Sequence, residues 1–239
     1  MKRKAFKLGS FTGIGIYVHW TMSLLLGAVF VLYLYLGASV SAALAGLMLV
    51  ATLFGCVIIH ELGHALTAKH FGIGTLDITM YPIGGVARLE GIPREPRQEL
   101  LIAIAGPAMN LIIAAVLLVV NIATGRPLTP SPFVESEPNV LGMLMWMNLA
   151  LVGFNMLPAF PMDGGRVLRA GLATKLSYKN ATRIASYVGQ AMAILFGIVA
   201  IVPVPFFTSF NPILLFIGIF VFLAARQEAE MVLQEEEEN

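Results

Sequence analysis

His60-Glu61-Leu62-Gly63-His64 is a His-Glu-x-x-His pattern. Histidines four apart share one face of a helix, so both imidazoles can reach a single ion. Glu61 is offset by about 100° around that helix, beside an ion rather than on it. The chemistry this suits is zinc-dependent hydrolysis, with a carboxylate taking a proton from an activated water and passing it to a leaving amine. The plain alternative is a chance match or two hydrogen-bonded core histidines. With only four histidines in the chain, a chance match is a rare event.

The surroundings of the pattern are unusual for a soluble enzyme. Residues 47–59 read LMLVATLFGCVII, apolar material that suits a bilayer. Two imidazoles and a carboxylate at membrane depth are costly and therefore point to function. The whole chain agrees: 58% of its 239 residues are hydrophobic, only 12% are charged, and the mean hydropathy is +0.83. A soluble domain carries about 25% charged residues. A net charge of +1 gives no basic surface suited to nucleic acid. The single cysteine, Cys56, excludes an internal disulfide.

Apolar runs predict six spans, at 14–36, 41–71, 98–121, 141–157, 183–203 and 209–225. The fourth is shorter than the ~20 residues a crossing needs and ends at Pro158. With both termini cytoplasmic, 14 of the 15 lysines and arginines fall on inside segments and only Arg126 outside, which is the positive-inside bias. The start, MKRKAFK, resembles the basic end of a signal peptide, but the apolar run from Ile14 to Leu36 exceeds an h-region of ~7–15 residues, so a retained first span is expected. Residues 125–140 read as an external loop and Glu235–Glu238 as a solvated, disordered tail. The expected fold is an all-α polytopic membrane protein of six transmembrane helices with a small cytoplasmic β-hairpin or re-entrant segment. The membrane core is expected over residues 1–225 and an acidic cytoplasmic tail over 226–239.

A hydrolytic zinc site needs three protein ligands and an open position. Asp77 and Asp163 are the chain's two aspartates. Asp163 lies in Asn155-Met156-Leu157-Pro158-Ala159-Phe160-Pro161-Met162-Asp163-Gly164-Gly165-Arg166. Prolines break the fourth span here, and non-helical backbone at membrane depth must be packed in protein or line a wet cavity. Asp163 is thus the expected third ligand; the ordinary reading is a loop aspartate capping a helix. His60 lies about 16 Å below the expected end of its span at ~1.5 Å per residue, so water reaches the site from the cytoplasmic side.

Together, HELGH at 60–64, Tyr81-Pro82-Ile83-Gly84-Gly85-Val86, Ala105-Gly106-Pro107 and the segment from Asn155 to Arg166 resemble the site-2 protease family of intramembrane zinc metalloproteases. The resemblance covers nearly the whole chain. It is strongest to prokaryotic members with cytoplasmic CBS domains; here a CBS domain and an inserted PDZ domain are expected to be missing. The resemblance implies one zinc ion per chain on His60, His64 and Asp163, with Glu61 as general acid and base. It also implies that Asn155 positions substrate or stabilises the oxyanion, for which an interhelical hydrogen bond is the alternative. The substrates it implies are membrane proteins cut within or near a transmembrane segment, such as tethered transcription factors, anti-sigma factors or signal-peptide remnants.

Thr75–Met80 alternates polar and apolar residues. Val86–Glu90 is its expected partner strand, with Gly84-Gly85 as the turn. An exposed edge there could hold an unwound substrate by β-addition; an ordinary hairpin is the alternative, and proline at Ile78 is the substitution that suggests itself as a test. Cys56 shares a face with His60 but reads as a small core residue. Asn110 and Asn148 read as interhelical glue, His19 as a hydrogen-bonding group, His70 as a cation suited to a helix C-terminus, and Met143, Met145 and Met147 as packing. The expected function is an intramembrane zinc metalloendopeptidase of the cell membrane. A zinc transporter or channel is the rival, since it also places His and Asp within spans.

Overall fold

The computed structural model describes residues 4–91, 93, 95–128, 139–202 and 210–237, with side chains described as far as Met231. Most of the expected external loop, 129–138, lies outside the described residues. The elements are β1 (Ala5–Phe11), β2 (Ile14–His19), α1 (Thr21–Tyr35), α2 (Val40–His70), β3 (Thr75–Tyr81), β4 (Gly84–Leu89), α3 (Pro96–Ala123), α4 (Val140–Asn155), α5 (Asp163–Ala173), α6 (Tyr178–Ile201) and α7 (Pro212–Glu237). They fall into two units: residues 1–92 with 105–152, and residues 93–104 with 153–239.

In the first unit the expected span 14–36 is corrected. Ile14–His19 is a strand, and the helix that follows has only 15 residues. Apolar content hid the change, because Ile14-Gly-Ile-Tyr-Val alternates in period two directly before a leucine-rich helix. The single expected hairpin becomes a four-stranded sheet in the order β1-β2-β3-β4. β1 and β2 are joined at Thr12 (φ 47°) and Gly13 (φ 91°). Two left-handed residues make the mirror-image turn that matches strand twist, and glycine relieves one of them. β2 then pairs parallel with β3, and β3 antiparallel with β4.

The β3–β4 turn is Pro82-Ile83 rather than Gly84-Gly85, which open β4, and the second strand is Gly84–Leu89 rather than 86–90. β3 is central, so Asp77 to Met80 are buried on both faces and the simple alternation fails. Arg88 on β4 accounts for the buried acid: its Nε donates to Asp77 Oδ1 at 3.0 Å, and Nη2 to Oδ2. That hydrogen-bonded carboxylate raises the guanidinium above its ordinary pKa. Ile14, Met22, Ala65, Ile78 and Met80 form the core between sheet and helices.

α2 starts on Ser39, whose Oγ accepts from Ala42 N at 3.2 Å, and ends with Lys69 and His70 in its last turn, where cations suit the helix dipole. It packs closely on α3. A Cβ at Gly63 would lie 2.7 Å from Ala105 O and 2.8 Å from Met109 Cγ. Small residues at such crossings let helix backbones approach where water cannot drive association.

In the second unit α6 and α7 form an antiparallel pair. Asn211 N donates to Ala200 O at one end, and Ser186 Oγ to Ala225 O further along. α7 continues through Arg226 to Glu237, so the expected tail is helical there rather than disordered. α5 is an additional short helix.

Four helices are long and apolar enough to cross a membrane: α2, α3, α6 and residues 212–231 of α7. α1 and α4 are shorter apolar helices, so the expected count of six is met in full length by four among the described residues. Because Ile78 pairs with both β2 and β4, its N–H meets a strand whichever way it points. Ile78→Pro therefore removes a ladder hydrogen bond in a central strand and leaves a buried acceptor without its donor, at a cost of about 1–3 kcal/mol, read as a lowered thermal midpoint of the purified protein in detergent.

Candidate metal centre

His60 and His64 are buried, each 5% exposed, on one face of α2. Their Nε2 atoms face each other at 3.1 Å. The other nitrogen of His60, Nδ1, lies 2.6 Å from Asn110 Oδ1 on α3. An amide oxygen only accepts, so Nδ1 carries the proton and Nε2 keeps its lone pair. The amide orientation is itself fixed, because Asn110 Nδ2 donates to Asn148 Oδ1 on α4 at 2.8 Å. Asn148 Nδ2 in turn donates to Leu144 O at 2.8 Å and faces Cys56 Sγ at 3.5 Å. This relay presents an imidazole lone pair and holds the ring in place, as the outer partners of metal-bound histidines do.

Gly106 lies directly against the pair: a Cβ there would overlap both Nε2 atoms. Glycine at this position therefore keeps a side chain away from both nitrogens, which leaves them able to approach a small cation. Glu61 is half-buried and points elsewhere. A Cβ at Gly85 would lie 2.5 Å from Glu61 Cγ and 3.0 Å from its Oε1, so the glutamate rests against the start of β4.

The second unit holds the remaining predicted residues. Asn155 is the last residue of α4 and half-buried. Residues 156–162 are non-helical, as the prolines predict, and include a cis Phe160–Pro161 bond. Asp163 opens α5 and is 7% exposed; an acid in the first turn suits the helix dipole. The two glycines after it have a steric reason. A Cβ at Gly164 would overlap the carbonyls of Met156 and Leu157, and one at Gly165 would lie 2.7 Å from Phe160 N. They let the helix start tightly against the loop that leads into Asp163.

That loop is anchored from below by Arg169. Its guanidinium lies over the rings of Phe160 and Tyr178, 5.0 and 4.9 Å from their centroids. Nε donates to Glu99 Oε1 and Nη1 to Glu228 Oε1, both at 2.7 Å. Burial opposes the charge on Arg169, and the carboxylates of Glu99 and Glu228 outweigh it, so its pKa lies above the ordinary value. The sequence placed Arg169 on an inside segment and said nothing of its burial; it is 2% exposed, and no local signal marks it, because Arg166 three residues earlier shares its face of the helix.

Of the residues set aside earlier, Cys56, Asn110 and Asn148 belong to the His60 relay. His19 bonds Thr21 Oγ1 at 2.8 Å and stacks on Tyr81. His70 meets Phe71 edge to face.

Comparison with known proteins gives this geometry a setting. Residues 48–128 and 129–196 match the model of peptidase family M50. A zinc metalloprotease of Methanocaldococcus jannaschii is 42% identical over 186 residues, covering 75% of this chain and 49% of the relative. Stage IV sporulation protein FB of Bacillus subtilis is 25% identical over 175 residues, covering 72% of this chain and 56% of the relative. The solved structure of the site-2 protease from Methanocaldococcus jannaschii matches with a TM-score of 0.66 at 35% identity, over 94% of this chain and 95% of that one. The chain spans about half the length of the curated relatives it matches. The family match, the identity to these relatives and the motif order together leave one assignment: the chain belongs to peptidase family M50, the site-2 proteases.

Proposed function

We propose that this protein is a zinc endopeptidase that hydrolyses a peptide bond within or near a transmembrane segment of another membrane protein. The observation that carries the reading is the pair of buried imidazole Nε2 atoms 3.1 Å apart on an apolar helix, with Glu61 one residue from the first. His60, His64 and Asp163 have the types and burial of one ion's ligand set. A zinc ion there supplies the Lewis acidity that lets water ionise near neutral pH. Glu61 accepts the proton of the attacking water and delivers it to the amine as the C–N bond breaks. Asn155 donates its amide N–H to the oxygen that becomes negative in the transition state.

Substrate must be extended before it can be cut, and β4 is the edge on which that can happen. The two-residue turn makes Tyr81 and Gly84 a hydrogen-bonded pair, so pairing alternates along the ladder. The N–H groups of Gly85 and Ala87 then point off the open edge, beside Glu61. An extended segment added to β4 runs past the general base. The membrane core in this reading is residues 1–225, crossing six times through four long and two short helices, with 226–239 a cytoplasmic tail. Both termini are cytoplasmic in the cell membrane, following the distribution of basic residues.

The tests use co-expression with single-span substrate proteins and measure fragment appearance. Glu61→Gln retains zinc and abolishes cleavage, and Asn155→Ala retains zinc and lowers kcat by about 10²–10³-fold. Zinc flux that falls with Glu61→Gln while cutting continues would instead favour a transporter. Asn110→Leu weakens zinc retention against a chelator by about 10–100-fold. Ala87→Pro removes an outward donor without breaking the β3 ladder, so the thermal midpoint is kept while cleavage drops; unchanged cleavage would rule out strand addition at β4.

A further inference from the structure

The sheet of the first unit has one face that its own helices leave partly uncovered. Register sorts its side chains, because directly opposed residues share a face. Phe6, Val18 and Met80 form one row, and Phe11 with Ile14 another on the same side. Lys7, Tyr17 and Thr79 lie on the opposite side, as do Ser10, Asp77 and Arg88. One face is thus apolar and the other polar. On the apolar face Ile14, Val18, Ile78 and Met80 pack with residues of α1 and α2. At β1 that face runs on beyond the helices, with Phe6 70% exposed and Phe11 50%. These two lie an odd number of residues apart, so a regular strand would send them to opposite sides. A bulge between Lys7 and Gly9 inserts Leu8, itself 63% exposed, and returns Phe11 to the side of Phe6.

The neighbouring elements say what covers these rings. α1 has 15 residues, about 22 Å at ~1.5 Å per residue, against a hydrocarbon core of about 30 Å. Its end lies beside the start of α2, where a Cβ at Gly46 would overlap the ring of Tyr33. The β1–β2 turn lies beside the end of α2, where Lys69 Nζ donates to Thr12 O at 2.9 Å. α1 and the hairpin therefore follow one another along α2. The exposed apolar surface of α1, at Leu24, Val31 and Leu32, leads towards Phe6 and Leu8. Trp20 stands at the junction, exposed, with Lys4 Nζ 6.0 Å from its ring. An aromatic ring beside a cation suits the level of lipid headgroups. No Asp or Glu precedes Glu61 in the chain, so neither the hairpin nor α1 carries a carboxylate that would have to leave water.

We propose that the β1–β2 hairpin lies in a lipid leaflet, with Phe6, Leu8 and Phe11 at the boundary of headgroups and acyl chains and Lys4 and Lys7 among the headgroups. β1 is an edge strand, and its outward backbone groups need water, so the hairpin stays within about 5–10 Å of that boundary. The bulge twists the edge away from pairing with a second copy of the chain. The half of α2 that carries both histidines is thereby walled from lipid by a sheet where α1 is too short to reach. This surface takes no part in the zinc chemistry and does not depend on it.

The test is nitroxide labelling of the full chain in phospholipid nanodiscs. Collisions with oxygen, which concentrates among acyl chains, are compared with collisions with a water-soluble nickel chelate. Cys56 is buried, so the unaltered protein is the labelling control. Labels at Phe6→Cys and Phe11→Cys, in separate chains, favour oxygen, as a label at Val31→Cys on α1 does. A label at Lys7→Cys, on the other face of the same strand, favours the chelate. Labels at Phe6→Cys and Phe11→Cys that both favour the chelate put this face in water and overturn the proposal. Spin–spin broadening at these positions assigns the face to a second copy and overturns it equally. An oxygen-favouring label at Lys7→Cys also overturns it, since the strand would then have no polar side. All four positions are exposed, and an unchanged thermal midpoint shows that each labelled chain is folded.

Discussion

A polar atom inside an apolar helix bundle has no water to fall back on, so it must find its partner in the protein. The line from His60 through Asn110 and Asn148 to the carbonyl of Leu144 meets that demand with three side chains on three helices. Every donor in it points one way. The direction is set at the far end by a backbone oxygen that can only accept, and it arrives at the imidazole as a choice of tautomer. The register of α2, α3 and α4 is therefore fixed by the same bonds that prepare the ring nitrogen for a cation. Gly63 makes the line short enough to close, since a side chain there would push α3 away.

The second unit solves the equivalent problem for charge. Arg169 is desolvated, which is tolerable only with carboxylates on its edge and aromatic rings against it. Glu99, Glu228, Phe160 and Tyr178 supply these from four different stretches of chain. Phe160 lies three residues before Asp163, so the position of that acid is inherited from a packed ion pair rather than from the loop itself. Gly164 and Gly165 permit the tight entry, and Arg169 holds it.

How much of this could be read from residues alone follows physical lines. HELGH was legible because its spacing carries its own geometry. The broken segment before Asp163 was legible because proline denies the helix a donor. α2 and α3 were found within two residues of their ends, whereas α6 begins five residues before its expected span and α7 runs twelve residues beyond its own. β1 and β2 were missed because hydropathy cannot distinguish a half-buried strand from the first turn of a span when the two are contiguous; Thr12-Gly13 was the one local mark of a turn. Asn110 and Asn148 were recognised as interhelical bonds, but which bond each makes depends on how helices distant in sequence meet. The burial of Arg169 went unread for a similar reason. A charge count assigns a side of the membrane, and only packing shows which arginine is desolvated.

The parallel pairing of β2 with β3 joins Gly15 to Asp77, so everything from Trp20 to Gly74, including both histidines, lies between the two strands in the chain. During synthesis α2 must be threaded into the bilayer before the third strand exists, and β4 emerges later still. The edge beside Glu61 is thus among the last parts of the first unit's sheet to form. β4 nevertheless precedes Asn110 and Asn148 in the chain, so a nascent protein completes its sheet before it owns the two amides that orient its first imidazole.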